Sequence, residues 1–213
     1  MESKSIEKWT NLIANASSAY REYFKFEKKY LTEHTNRGGI SLDLGCGDGR
    51  SIQTIAKYSN FVIGIDNDED AVEYAREDLW RLKNTLIVNY DAEDLMVNFH
   101  SKQFDTIFCG LSFSNFGNSK DEVLDQISFV LKGQFIFSTY NENALDERLR
   151  MYNKAFDSTY SVNPKNGCVS FNQGQITSEQ FTQRQLEEML TKYDFKINDI
   201  QKGKIFYMVK CSK

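Results

Sequence analysis

The chain has 213 residues, 40% hydrophobic and 26% charged, with a formal net charge of −4. That is enough for one sizeable domain with its own core. No apolar run reaches the roughly 20 residues a membrane-spanning helix needs, the first residues lack the apolar stretch of a signal peptide, and an acidic chain offers no broad basic face for nucleic acid. Cys46, Cys109, Cys168 and Cys211 are scattered without CxxC or zinc spacing, which points to free thiols in a reducing, cytoplasmic setting and to no metal site.

Residues 5–34 read as helix, because Ile6, Trp9, Leu12 and Ile13, then Tyr20, Tyr23 and Phe24, recur at three- to four-residue spacing. Lys25, Lys28 and Lys29 interleave with aromatics there, as a base-stacking strip would, but the solvated side of an amphipathic helix is the preferred reading. Thr35 to Gly39 supplies a turn. Strands are then expected at 40–44, 61–65, 85–90, 104–110 and 133–139, and helices at 49–58, 69–83 and 119–130. Ala71, Tyr74, Ala75, Leu79 and Leu82 make one apolar helix face, with Asp68 as its cap. Ser119 and Glu122 fit a capping box.

Residues 141–177 carry no clean period and hold the only proline, Pro164. Thr182 and Gln185 form a second capping-box signal, with Phe181 and Leu186 as a hydrophobic staple, so a helix to about residue 192 follows. Strands at about 195–200 and 204–211, joined near Gly203, read as an antiparallel hairpin. The expected fold is α/β: a doubly wound, seven-stranded, mostly parallel sheet with an antiparallel C-terminal strand and helices on both faces.

Ligands of such sheets bind beyond the carboxyl ends of the strands. The first end reads Asp43-Leu-Gly45-Cys46-Gly47-Asp48-Gly49. Its glycines allow a sharp turn and close approach, and its carboxylates disfavour pyrophosphate. Arg50 follows Gly49, so the third spacing of the G-x-G-x-x-G dinucleotide fingerprint fails. The second end offers Asp66, 21 residues after Gly45, placed to accept from ribose hydroxyls. The third offers Asp91, which can accept from an adenine amino group while the amide of Ala92 donates. The fourth, Cys109 to Phe116, is a long turn that can wall the reactive end of a ligand.

These four ends together resemble the class I S-adenosylmethionine-dependent methyltransferases. Leu42 to Gly49 resembles their first motif, Ile63 to Asn67 the second and Asp91 to Leu95 the third. Phe104 to Cys109 matches the next strand, and Val130 to Phe137 the fifth, although the proline and second glycine often found after the lysine are missing. Phe181 to Lys210 is similar to the closing helix and reversed strand pair of the small-molecule, quinone-biosynthesis-like branch.

The resemblance implies S-adenosyl-L-methionine as cofactor. Gly45, Cys46 and Gly47 would lie by its methionine end, with Asp43 favouring the amino group and the Cys109 carbonyl accepting from it. Asp66 would hold the ribose with Asn67 beside the adenine, and Asp91 and Ala92 would read the adenine edge.

Residues 1–39 would form an N-terminal helical cap and 141–177 a substrate-lid insertion within one methyltransferase domain spanning 1–213. Methyl transfer from a sulfonium needs mainly alignment and a dry site. His34 and His100 read as surface residues, so a nitrogen acceptor that reacts once neutral is favoured slightly over a phenol-like oxygen. Tyr20 and Tyr140 are candidates for the catalytic mouth, and Phe113 and Phe116 for the substrate wall. The expected partner is a small-molecule acceptor, with no nucleic acid and no membrane. A peptide or protein N-methyltransferase and a non-catalytic partner subunit are the alternatives.

Overall fold

Short apolar strands that alternate with helices can pair in parallel only through crossovers, and the chain takes that solution. The computed structural model describes residues 10–11, 13–155, 159–171 and 176–213. The elements are α1 (Ser18–His34), β1 (Ile40–Leu44), α2 (Ile52–Ile55), β2 (Phe61–Asp66), α3 (Glu69–Asp78), β3 (Thr85–Asn89), α4 (Leu95–Asn98), β4 (Phe104–Cys109), α5 (Lys120–Val130) and β5 (Leu131–Asn141). After these come α6 (Leu145–Ala155), β6 (Tyr160–Val162), β7 (Val169–Phe171), β8 (Ile176–Ser178), β9 (Gln180–Phe181), α7 (Gln183–Lys192), β10 (Lys196–Lys202) and β11 (Phe206–Ser212).

The main sheet runs β10-β11-β5-β4-β1-β2-β3, with the two-residue β9 paired to β5 beside that path. Strands β1 to β5 are mutually parallel, and β11 is antiparallel to both of its neighbours. This is the doubly wound, seven-stranded arrangement expected, with β9 as an addition. The order reverses between β1 and β4, which opens a crevice at their carboxyl ends.

Side chains alternate across the pleat, so each strand feeds two cores. Leu42 and Leu44 join a cluster with Val123, Leu124 and Ile127 of α5 and Leu186 and Leu190 of α7. On the other face Tyr20, Tyr23 and Leu31 of α1, Ile52 and Ile55 of α2, and Val72 and Ala75 of α3 pack against Val62, Phe108 and Ile136. Asp43, between Leu42 and Leu44, therefore points to the α1 and α2 side.

Several local expectations hold. Asp68 caps α3, accepting from the amides of Asp70 and Ala71. Thr182 and Gln185 form the reciprocal capping box at α7, and Phe181 and Leu186 share one core. On α1 the aromatics Tyr23 and Tyr30 are buried while Lys25, Lys28 and Lys29 are exposed, as the amphipathic reading required. No helix among the described residues is long and apolar enough to cross a membrane.

Other expectations are corrected. The helix predicted over 5–34 is interrupted at Asn15–Ser17, where Ser17 caps α1 by accepting from the Tyr20 amide; Ile6, Trp9 and Leu12 lie outside the described residues. The helix predicted at 49–58 shortens to α2, because positive φ at Gly49 keeps the turn going past the expected start, and the one predicted at 69–83 starts as expected but ends at Asp78, where Leu79 leaves the helical backbone. Ser119 makes no capping bond. A 3-10 turn, Gly117–Ser119, runs straight into α5, so the extended backbone that a capping box needs is absent. The stretch from 141 to 177, which shows no clean period in sequence, holds among its described residues α6 and an antiparallel β6-β7-β8 sheet with a small core of Tyr152, Val169 and Phe171, and Pro164 lies in the turn between β6 and β7.

Candidate active site

Parallel registry brings the ends of β1, β2 and β4 level: Leu44 pairs with Ile65 on one side and with Cys109 on the other. The glycine turn is anchored there, the amides of Gly45 and Cys46 both donating to the Ile65 carbonyl at 2.8 and 2.9 Å. Gly45 has φ +70°, and a Cβ on it would sit 2.6 Å from the Ser112 hydroxyl. Ser112 itself reaches the carbonyls of Leu44 and Gly45 at 3.4 Å. Gly47, at φ +52°, faces nothing within 4 Å in the direction of its absent Cβ. The outer edge of the turn is open to a ligand that must touch backbone.

Acids surround that opening. Asp66 accepts from the Gly47 amide (2.8 Å) through one oxygen and from the Asp68 amide (3.0 Å) through the other. It therefore braces the turn and still has lone pairs for a diol. Burial raises its pKa, while the two amides oppose the rise. Asn67 is exposed and donates to Asp91 at 3.2 Å. The other Asp91 oxygen caps the 3-10 turn Ala92–Asp94 through the Glu93 amide at 3.1 Å. Asp66, Asn67, Asp91 and Ala92 thus form a continuous polar rim.

Asp43 lies beneath the turn, 1% exposed, with the Ser51 hydroxyl donating to it. Burial pushes its carboxyl up to about 7. Cys46 and Cys109 are buried thiols whose pKa values burial raises, so neither is a nucleophile at neutral pH.

Tyr20 and Tyr140 do meet: the Tyr20 hydroxyl donates to that of Tyr140 at 3.1 Å, and both residues are 3% exposed. Burial holds both phenols above the usual tyrosine range. Phe113 is corrected. It is fully buried, 4.4 Å from the Phe137 ring centroid, in the α5 and α7 core across the sheet from Tyr20. Phe116 packs edge-on against it at 5.9 Å. The 3-10 turn Leu111–Asn115 sends Leu111 to one face and Phe113 to the other. His34 stacks on Tyr30 and meets Lys210, and His100 is exposed, so neither histidine joins this group.

Sequence reasoning missed three features. Glu27, 1% exposed, pairs with Arg50, the residue after the glycine turn. Its position on the Tyr20, Tyr23, Tyr30 stripe of α1 was the available signal. Arg148 is a fully buried arginine on α6. A cavity of about 510 Å³ lies between the N-terminal segment and α6, lined among others by Ala16, Tyr20, Phe24, Arg150 and Met151.

An open, glycine-lined backbone edge flanked by acids suits a cationic nucleoside without phosphate. The fold and this rim define a nucleoside-binding α/β enzyme scaffold. A family model described as a methyltransferase domain matches residues 35–194. Over 164 residues the chain is 30% identical to a probable cobalt-precorrin-6B C(15)-methyltransferase (decarboxylating) of Methanococcus maripaludis, covering 70% of this chain and 84% of that protein. It is 27% identical over 119 residues to a ubiquinone biosynthesis O-methyltransferase of Coxiella burnetii, covering 54% of this chain and 50% of that one.

Among solved structures, the PH0226 protein of Pyrococcus horikoshii shares the fold with a TM-score of 0.73 at 24% identity, over 92% of each chain. So does the 1,6-didemethyltoxoflavin-N1-methyltransferase of Burkholderia thailandensis, at TM-score 0.69 and 17% identity, over 98% of this chain and 86% of that one. The chain belongs to the class I S-adenosylmethionine-dependent methyltransferases. It is an enzyme of that family, and S-adenosyl-L-methionine is its methyl donor.

Proposed function

We propose that this enzyme methylates a nitrogen or oxygen of a small molecule held between the helical cap, residues 1–39, and the lid, residues 141–177. The cavity between them carries the reading. Its volume of about 510 Å³ is that of a small-molecule site. It also borders the donor side, because Phe24 lines the cavity and stacks at 4.6 Å on Arg50, next to the glycine turn.

When bound, the donor supplies an electrophilic methyl group on a sulfonium leaving group. Gly45, Cys46, Gly47 and the Cys109 carbonyl would receive its methionine end, Asp43 acting from beneath the turn. Asp66 and Asn67 would hold the ribose, and Asp91 and Ala92 the adenine. Tyr20 and Tyr140 keep their protons at neutral pH, so they do not act as bases; Tyr20, whose hydroxyl donates to Tyr140, positions the acceptor as part of the cavity wall. Ala16, Phe24 and Met151 give the cavity an apolar wall.

A thermal-shift and turnover screen of amines, phenols and short peptides, with donor present, tests the proposal. Turnover of an amine or phenol is expected. Turnover of peptides alone would overturn the small-molecule reading.

A further inference from the structure

The crossover from β3 to β4, residues 90–103, holds only the four-residue helix α4 beyond a 3-10 turn. The α5 and α7 face of the outer strands is therefore thinly covered. Side chains along β3 alternate between faces: Ile87 joins the core beneath α1 to α3, and Val88 packs in the opposite core. Leu86 shares the face of Val88 and is exposed, as is Ile40, which shares the face of Leu42 and Leu44 on β1. Tyr90 lies edge-on to Phe99, Met96 and Val97 stand on α4, and Phe129 lies in the last turn of α5. The Met96 amide donates to the Gln126 side chain at 2.6 Å, and the Lys102 amide to the Phe129 carbonyl at 3.0 Å. These bonds tie the crossover to α5 and make the surface continuous.

Among the described residues eight large hydrophobics are exposed, and six of them, Ile40, Leu86, Tyr90, Met96, Val97 and Phe129, lie on this face. Val97 reaches 83%. Scattered singly, such residues need no explanation, but gathered on one face they mark an interface. The free edge of β3 is not the docking element. Arg76 Nε–H donates to the Ile87 carbonyl at 2.9 Å, which closes that edge to strand pairing.

Charge is split along the face. Arg81 and Lys83 precede β3 and Lys102 precedes β4, at the amino ends of the strands. Glu93 and Asp94 follow β3 and Glu122 lies in the first turn of α5, at the carboxyl ends, with Asp125 midway along α5. None of these forms an ion pair among the described residues. A two-fold axis across the strands sets the basic end of one copy against the acidic end of another and brings the apolar middles together.

We propose that this face is a homodimer interface, packed by a second copy of the chain with strands antiparallel and basic end to acidic end. The apolar middle supplies the burial, and the charged ends fix the orientation. The face lies across the sheet from α1 and the cavity that Tyr20 lines, so association leaves that cavity open.

The test is the oligomeric state of the full chain, read by sedimentation velocity and light scattering at concentrations up to about 100 μM, where weak homodimers are populated. A dimer is expected. Val97→Glu should raise its dissociation constant by at least about tenfold, with circular dichroism and stabilisation by S-adenosylhomocysteine kept at the parent level to show that the variant folds. Reversing the basic end (Arg81→Glu with Lys83→Glu) or the acidic end (Glu93→Lys with Asp94→Lys) should weaken each homodimer by a similar factor. Mixing the two reversed proteins should restore association, since each then meets its opposite charge at both ends. A monomer at every concentration, a dimer that Val97→Glu leaves intact, or no recovery on mixing overturns the proposal.

Discussion

Glu27→Gln is the most informative single change. Both Glu27 oxygens accept from Arg50, and one also accepts from Tyr23, whose hydroxyl lies 2.8 Å from Ser138 on β5. The isosteric amide removes the charge and leaves the guanidinium against the Phe24 ring with no carboxylate hydrogen-bonded to it. Breaking a buried pair from one side costs about 3–5 kcal/mol. The Arg50 side chain keeps 31% of its surface in water, which reduces the expected loss to about 2–3 kcal/mol. In a domain of this size that lowers Tm by about 5–10 °C.

Urea unfolding followed by circular dichroism should show a lower midpoint with an unchanged slope. Donor affinity should fall as well, since Arg50 directly follows the turn that α1 holds down. Glu27→Leu combined with Arg50→Met leaves no unpaired charge and should regain the parent stability to within about 1 kcal/mol. A loss below about 0.5 kcal/mol in Glu27→Gln, the size of an ordinary surface change, would refute the reasoning.

Asp66→Ala should abolish thermal stabilisation by the donor while circular dichroism stays that of the folded protein; unchanged donor affinity would remove Asp66 from the site. Asp43 gives a pH dependence. Its folded pKa of about 7 lies above the unfolded value of about 4. The folded state therefore holds the proton more tightly, and the group's contribution is full below about pH 4 and lost as pH rises through about 7. Relative to Asp43→Asn, stability should drop by about 4 kcal/mol across that window, and parallel pH curves for the two proteins would contradict this. Thr182→Ala removes the α7 capping box and should cost about 1 kcal/mol in chemical unfolding, with donor affinity unchanged.

The parallel half of the fold was legible because each strand end carried its own chemistry. Gly45, Asp66 and Asp91 each follow an apolar run, and a turn must follow each run. The lid was not legible, because β6, β7 and β8 have three residues each, too few to show a period. The amphipathic face of α6 also includes Arg148, which pattern reading counts as polar although it is fully buried. Phe113 was misplaced for a related reason: residue type gives burial tendency, but only the 3-10 turn decides which face of the sheet receives the ring. Ser119 shows the same limit, since a capping-box pattern has no force where the backbone before it is already helical.

Strand β9 pairs with the end of β5 through Tyr140 with Gln180 and Asn141 with Phe181. The chain therefore leaves the main sheet and rejoins it at adjacent residues, and everything from α6 to β8 is an excursion with its two ends already tied together. Such a loop can lengthen, shrink or be exchanged between homologues at little cost in closure entropy. With the proposed lid role, acceptor choice can change independently of the donor half, by exchange of one segment whose two junctions lie side by side on the sheet.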